Sequence, residues 1–342
     1  MMPVQLGESG LTSTGNTPLA EIALVVRGTP LPVQLKLEGA NPCGSIKDRT
    51  AEGLMDDLER REVLTAGSIV VESTSGNLGI AVASIVRRRG YRFVAVVDPK
   101  ITGENLARLR ALDARIECVQ SPDEAGCYLS SRLARVHELR ESSEAFVWPD
   151  QYSNPAGPRA HELGTGPELL EQVRGHLDAI FVPVSTGGTL AGLASCLRRE
   201  SPETRIFAVD ARGSVALGGR PGPRLMTGVG AGRRSSFLTT DLYDERVLID
   251  DAEALAYCRA LAAGTGIRVG GSSGATLAAC GHTLAAHPDI GRVVCLCPDR
   301  GEAYASTIYD DGWLIRHGVE PASLALGPVV AVGRSRSGPA RV

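Results

Sequence analysis

The chain has 342 residues, 43% hydrophobic, 22% charged and only 4% aromatic, with a net charge of −3. Its length and apolar content suit one large or two modest globular domains. The slight negative balance speaks against an electrostatic nucleic-acid or membrane binder, and the shortage of aromatics against a single-strand stacking platform. Glycine is in excess: 40 are present, where average usage gives about 24, and no Gly-X-Y period explains them. No run approaches the roughly 18 apolar residues that a membrane-crossing helix needs. Met1–Gly10 lacks the basic-then-apolar pattern of a secretion signal. The eight cysteines include no CxxC and no Cys/His ligand spacing, so a cytoplasmic location, reduced thiols and no metal are expected. Cys295 and Cys297 alternate in an apolar run and read as small core side chains.

In chain order, the patterning predicts a strand at Val33–Glu38, a helix at Lys47–Arg60, a strand at Ser68–Glu72, a helix at Asn77–Arg89 and a strand at Arg92–Val97. A helix at Asn105–Leu112, a strand at Arg115–Val119 and helices at Glu124–Arg140 and Leu163–Val173 follow. The second half continues with strand Ala179–Val184, helix Leu190–Glu200, strand Ile206–Val209, helices Ala252–Ala263 and Gly274–Ala286, and strand Arg292–Cys297. Strands alternating with helices at this spacing predict an α/β fold with mainly parallel sheets and crossover helices. The strands are almost continuously apolar, as in sheets covered on both faces. The Pro/Gly-rich stretch Gln151–Gly166 reads as an irregular divider. Gly213–Gly232, with seven glycines, reads as a mobile or ligand-covering loop. The tail after Gly327 is expected to be disordered.

Four loops carry candidate chemistry. In Asn41-Pro42-Cys43-Gly44-Ser45-Ile46-Lys47, Pro42 and Gly44 set a turn and Ser45 is a good cap, so Lys47 falls in a first helical turn. The positive end of the helix dipole there disfavours the lysine's charge, which suits an amine that must be neutral to attack a carbonyl. A solvated lysine paired with Asp48 or Glu52 is the alternative. Glu72-Ser73-Thr74-Ser75-Gly76-Asn77 joins a strand to a helix, as an anion site of carboxylate size or as an ordinary capped turn. Pro183-Val184-Ser185-Thr186-Gly187-Gly188-Thr189 has the same setting. Its glycines let backbone N–H groups crowd a phosphate, and Ser185, Thr186 and Thr189 add hydroxyls. Lacking both Gly-Lys-Ser/Thr and GxGxxG, it suits a single phosphate better than a nucleotide. Gly270-Gly271-Ser272-Ser273-Gly274 opens the last long helix, and taken alone it reads as capping.

Taken in this order, the four loops resemble the pyridoxal-phosphate-dependent cysteine synthase/cystathionine β-synthase family, fold type II. Thr14-Gly15-Asn16-Thr17-Pro18, Gln151-Tyr152-Ser153-Asn154-Pro155 and Pro298-Asp299-Arg300-Gly301 with Tyr304 extend the resemblance over residues 12–315. It implies two three-layer α/β domains with pyridoxal 5′-phosphate between them: a smaller one at 47–150, and a larger one from 1–46 plus 151–325, with 326–342 as the tail. It implies Lys47 as the lysine that forms the internal aldimine, Asn77 at the ring oxygen, Ser185, Thr186, Gly187, Gly188 and Thr189 around the phosphate, and Ser272 at the pyridine nitrogen. Thr74, Ser75 and Gln151 are the implied carboxylate holders. The implied reaction is β-replacement on an activated serine through an aminoacrylate, in a homodimer acting on small amino acids, with no nucleic-acid or membrane partner.

Leu78, Ser185 in place of the usual glycine, Tyr152 in place of the usual phenylalanine, Asp98-Pro99-Lys100-Ile101 and Tyr128-Leu129-Ser130-Ser131-Arg132 depart from sulfhydrylases. With Ala208–Ser214 they are most similar to the branch that joins O-phospho-L-serine to L-glutamate on the route to 2,3-diaminopropionate, a siderophore and antibiotic precursor. A dianionic leaving group needs donors or a cation, and Tyr152, Ser185 and Arg132 are the candidates; Arg132 also reads as a solvated helix residue. A cysteine synthase using O-acetylserine or O-phosphoserine with sulfide is the alternative reaction. A dehydratase would share its elimination half. A silent binding protein on the same scaffold is the non-enzyme alternative, against which the intact Lys47 counts.

Overall fold

A computed structural model describes residues 13–123 and 128–324. The expected tail at 326–342, the segment Met1–Gly10, Cys127 and the expected helix start at Glu124 lie outside the described residues. The strands are β1 (Leu19–Val26), β2 (Thr29–Leu37), β3 (Ile69–Ser73), β4 (Arg92–Val97), β5 (Arg115–Cys118), β6 (Phe146–Val147), β7 (Ala179–Pro183), β8 (Arg205–Ala211), β9 (Glu245–Ile249) and β10 (Val293–Cys297). The helices are α1 (Lys47–Arg60), α2 (Asn77–Arg88), α3 (Gly103–Ala111), α4 (Tyr128–Ser142), α5 (Ala156–Ala160), α6 (Gly166–Val173), α7 (Gly188–Glu200), α8 (Asp251–Thr265), α9 (Gly271–Ala286) and α10 (Asp311–Arg316). The fold is α/β, of the fold type II kind.

Two sheets form. One has four parallel strands in the order β5-β4-β3-β6; the other has six, in the order β1-β2-β10-β7-β8-β9, all parallel except the β1–β2 hairpin. Both are covered on both faces, as their apolar strands require. In the six-stranded sheet, Phe181, Phe207 and Cys295 point to a core shared with α8 and α9. Their neighbours Ile180, Ile206 and Val294 point to the opposite core with α6 and α7. Phe181 and Phe207 stack with ring centroids 4.7 Å apart. In the smaller sheet, Val70, Phe93 and Ala95 face α1 and α2, while Val71, Val94 and Val96 face α4. Cys295 and Cys297 are buried in β10, as core side chains.

Three features differ from the sequence expectations. A hairpin precedes the first expected strand: Arg27 and Gly28 both take positive φ (51° and 81°), the two-residue turn that matches strand twist. Pro30 and Pro32 are tolerated in β2 because they lie outside its pairing with β10, which runs from Gln34 to Leu37. The divider Gln151–Gly166 is irregular only at its start. From Ala156 the chain is helical through α5, a π turn at His161–Thr165 and α6. The widened turn accommodates Pro167, which has no N–H for an α-helical bond to the preceding turn. The glycine-rich Gly213–Gly232 is tied down, with Gly230 N–H donating to Val184 O at 2.6 Å and Val215 N–H to Ala231 O at 3.0 Å.

A buried ion cluster fastens α1 to the six-stranded sheet. Lys36 in β2 is fully buried; its ammonium donates to Thr17 O and Gln172 Oε1, both at 2.7 Å, and pairs with Glu168 of α6. Arg49 grips Glu38 with Nε at 2.8 Å and Nη2 at 2.9 Å, and also reaches Glu168 at 2.9 Å. Burial raises the pKa of Glu168, but Lys36 and Arg49 outweigh it and bring it to about 2. Its contribution to stability is complete above the ordinary value of 4.5 and is lost as pH falls from there toward 2. Replacing Glu168 with Ala strands a buried ammonium, so urea denaturation should show a loss of about 3–5 kcal/mol at neutral pH. The double substitution Lys36→Met/Glu168→Leu should recover part of that loss, and an additive double variant contradicts the coupling.

Candidate active site

β3 of the smaller sheet and β7 and β10 of the larger send the chain toward the start of α1. The loops that follow them meet between the two sheets, where α/β folds place ligands. α1 starts at Lys47, whose backbone N–H donates to Ser45 Oγ at 3.2 Å. Ile46 N–H donates to Pro298 O at 2.7 Å, docking this first turn on the loop after β10. Gly44 takes φ +88°, a left-handed conformation that glycine adopts without strain. The alternative of a solvated Lys47 paired with Asp48 does not form. The Asp48 carboxylate accepts the Cys43 N–H at 3.0 Å, and Lys47 makes no ion pair among the described residues. Burial lowers the Lys47 pKa from 10.5 to about 8.

Lys47 sits in an inner cavity of about 50 Å³ with Asn77, Ser185, Thr186, Gly187, Thr189 and Ser272. Gly188 does not line it; as the first residue of α7 it packs beside Pro158. Gly187 takes φ +93°, and a Cβ there would lie 2.1 Å from Ser235 Oγ. Ser235 Oγ in turn donates to Thr186 O at 2.8 Å, so the segment after the glycine-rich stretch braces this loop. Asn77 Nδ2 donates to Asp299 Oδ2 at 2.7 Å, and Tyr304 OH donates to the same oxygen at 2.5 Å. Ser272 is buried at the start of α9.

The inner cavity opens into an outer one of about 210 Å³, to which Thr74, Ser75, Gln151, Tyr152 and Arg132 all contribute. Arg132 is not solvated. Its side chain is 11% exposed, with Nη1 donating to Ser75 Oγ at 3.2 Å and Nε 3.3 Å from Asp98. Gln151 Nε2 donates to Ser73 O at 3.1 Å. Burial raises the Tyr152 hydroxyl to about 12, so it is a neutral donor at physiological pH.

Sequence reasoning missed several residues here. Glu72 is fully buried, which pushes its pKa to about 8, and it accepts from Trp148 Nε1 at 3.0 Å and from Gln151 N at 3.3 Å. It ties the loop after β3 to the segment holding Gln151. His161, in the π turn, meets Thr50 Oγ1 at 2.9 Å, Thr165 Oγ1 at 2.9 Å and Thr189 Oγ1 at 3.3 Å. Burial, with the charges of Lys47 and Arg49 adding, lowers its pKa well below the usual range, so it is neutral. Asp299 stood in a motif without a role, although a carboxylate just past a strand end is a signal of this kind of site. His161 left no signal, because the π turn that aims it is set by packing. Among the described residues, no group of three or more His, Cys, Asp and Glu side chains is placed to hold a metal, and no helix is long and apolar enough to cross a membrane.

A family model described as pyridoxal-phosphate dependent enzyme matches residues 11–299. The chain belongs to this pyridoxal-phosphate family. Two curated relatives are both called N-(2-amino-2-carboxyethyl)-L-glutamate synthase. That of Ralstonia nicotianae is 42% identical over 330 residues, 96% of this chain and 97% of that protein. That of Cupriavidus metallidurans is 41% identical over 326 residues, 94% and 96%. Among solved structures, O-acetylserine-dependent cystathionine β-synthase from Helicobacter pylori superposes with a TM-score of 0.80 at 29% identity, covering 91% of this chain and 100% of that one. The protein is an enzyme of the pyridoxal-phosphate kind.

The residues fit that cofactor. The start of α7, with three nearby hydroxyls and a glycine whose Cβ would collide, suits a dianionic phosphate. An amine with a pKa near 8 suits condensation with an aldehyde. A buried serine at a helix start suits an unprotonated ring nitrogen. In the cofactor-free pyridoxal-phosphate enzyme, acylation of Lys47 followed by peptide mass mapping should reach half its maximal rate near pH 8, because the neutral amine prevails only above the pKa. A midpoint near 10.5, the ordinary lysine value, contradicts the burial.

Proposed function

We propose that the protein catalyses β-replacement on O-phospho-L-serine with L-glutamate as the nucleophile, yielding N-(2-amino-2-carboxyethyl)-L-glutamate for 2,3-diaminopropionate synthesis. The observation that carries this reading is the outer cavity. It sets Arg132, Ser75 and Tyr152 beside the lysine-bearing inner one, in a chain 42% identical to a synthase of that name.

Pyridoxal phosphate, when bound, supplies the electron sink that lets a substrate lose its Cα proton and its Cβ leaving group before an amine adds at Cβ. The remaining chemistry belongs to the chain. Lys47 would hold the cofactor aldehyde, and its neutral amine could take a proton from the substrate Cα; an amine with a pKa near 8 is matched to that work. The Ser185–Thr189 loop holds the cofactor phosphate, Asn77 the ring oxygen and Ser272 the ring nitrogen. A hydroxyl at Ser272, unlike a carboxylate, does not keep a proton on that nitrogen, which favours expulsion at Cβ over amine exchange. Thr74, Ser75 and Gln151 orient the substrate carboxylate. Arg132, Tyr152 and Ser185 receive the departing phosphate, the cation and the two neutral donors stabilising charge as it develops.

Lys47→Ala should abolish the cofactor's bound absorbance and all turnover, and retained activity overturns the assignment. Offered O-phosphoserine with glutamate or with sulfide, the enzyme should form the glutamate adduct by mass; cysteine without the adduct replaces this reading with a cysteine synthase. Arg132→Ala removes a charge-assisted contact of about 1.5–3 kcal/mol, so kcat/KM for O-phosphoserine should fall at least about tenfold. An unchanged value removes Arg132 from the leaving-group site.

A further inference from the structure

We propose that Lys100, at the mouth of the outer cavity, binds the side-chain carboxylate of the incoming acidic nucleophile and so selects glutamate over uncharged amino acids. The proposal deepens the function above and rests on it.

The outer cavity has a one-sided charge. Its lining includes three cationic side chains, Lys47, Lys100 and Arg132, and no aspartate or glutamate. Two of the cations are committed. Lys47 lies on the floor, shared with the inner cavity. Arg132 is bound to Ser75 Oγ and to Asp98. Lys100 makes no ion pair among the described residues; its ammonium lies 5.4 Å from the centre of the Tyr128 ring. A lysine on an aromatic face keeps its charge available to a ligand, because the ring takes up none of it.

The position of Lys100 is held although its side chain is exposed. Its backbone N–H donates to Asp98 Oδ1 at 2.9 Å, while the other oxygen of the same buried carboxylate takes Arg132 Nε at 3.3 Å. Asp98 therefore ties the backbone at Lys100 to the Arg132 side chain, and both residues line the outer cavity, Arg132 nearly buried and Lys100 exposed. Asn105, whose Nδ2 donates to Ser75 O at 3.2 Å, connects the carboxylate loop to the same wall.

The order of events assigns the two cations. The first substrate enters deepest, with its α-carboxylate on the loop after β3 and its phosphate near Arg132. The second must aim its amine inward at Cβ, which leaves its carboxylates toward the mouth. The uncommitted charge there is that of Lys100. A sulfide nucleophile has no use for such a group, whereas a dicarboxylate gains both attraction and direction from it.

The test uses the holoenzyme and three proteins: wild type, Lys100→Met and Lys100→Arg. Lys100→Met should raise KM for glutamate about twofold to fivefold, the size of one exposed charge pair. Lys100→Arg should restore most of the wild-type value. 2-Aminopentanoate, which carries a methyl group in place of the side-chain carboxylate, should react equally with wild type and Lys100→Met. The spectral change on adding O-phosphoserine alone should keep its midpoint in both. An unchanged glutamate KM, an equal loss with 2-aminopentanoate, or a shifted O-phosphoserine midpoint overturns the role of Lys100. If wild type forms no glutamate adduct, the proposed function itself falls, and this site falls with it.

Discussion

The burial of one amine is the constraint from which the rest of the site follows. Lys47 opens α1 where the two sheets meet, and its first turn is hydrogen-bonded to the loop after β10. Taking that amine out of water lowers its pKa to about 8. The cost of such burial must be met by a rigid surround. The buried cluster of Lys36, Glu38, Arg49 and Glu168 meets it, since Arg49 lies only two residues beyond Lys47 on the same helix. The ion cluster thus serves placement as much as stability, holding one helix start in register against a sheet built largely from the other half of the chain.

Around that fixed point the loops divide their work by depth. The start of α7 and Ser272 line the inner cavity, where small residues and hydroxyls leave room for a phosphate and a ring. The loop after β3 and the side chains from α3 and α4 line the outer cavity, where Arg132 and Lys100 bring positive charge. Neutral buried groups tie the layers together. Glu72 links the loop after β3 to Gln151, and His161 links α1 through Thr50 to the start of α7 through Thr189. Each sits where a charge would be unstable, and each is hydrogen-bonded instead.

Much of this was legible in the residues. The strand–helix alternation predicted the parallel sheets, and the four glycine-bearing segments containing Lys47, Asn77, Ser185 and Ser272 appear together around one cavity. Less legible was β1, whose Ala20, Glu21 and Ala23 dilute the β-branched signal and whose strand identity comes from pairing with β2. The helix that replaces the expected irregular stretch before Gly166 was hidden by Pro155, Pro158 and Pro167. Their local preference against helix is overridden by packing against α1 and α7 and by a π turn. The lowered pKa of Lys47 was expected from the dipole of its helix, but its cause in the structure is desolvation.

Local chemistry, then, determined the fold class and the loops that bear reactive residues, because turn geometry, helix capping and apolar period are written within a few neighbouring residues; the cofactor followed from the order of those loops and the family they resemble. Tertiary structure alone decided which of those residues share a cavity and which cations have a carboxylate partner within the chain. The glycine excess shows the division. Its presence in loops and the positive φ of Gly44 and Gly187 are local, but a Cβ at 187 would also meet Ser235 and Leu238, side chains far away in sequence. Arg132 and Lys100 show it again, since one buried carboxylate, Asp98, pairs with the side chain of the first and accepts the backbone N–H of the second. Distances between residues remote in the chain carry that information, and they exist only once the two sheets have closed on each other.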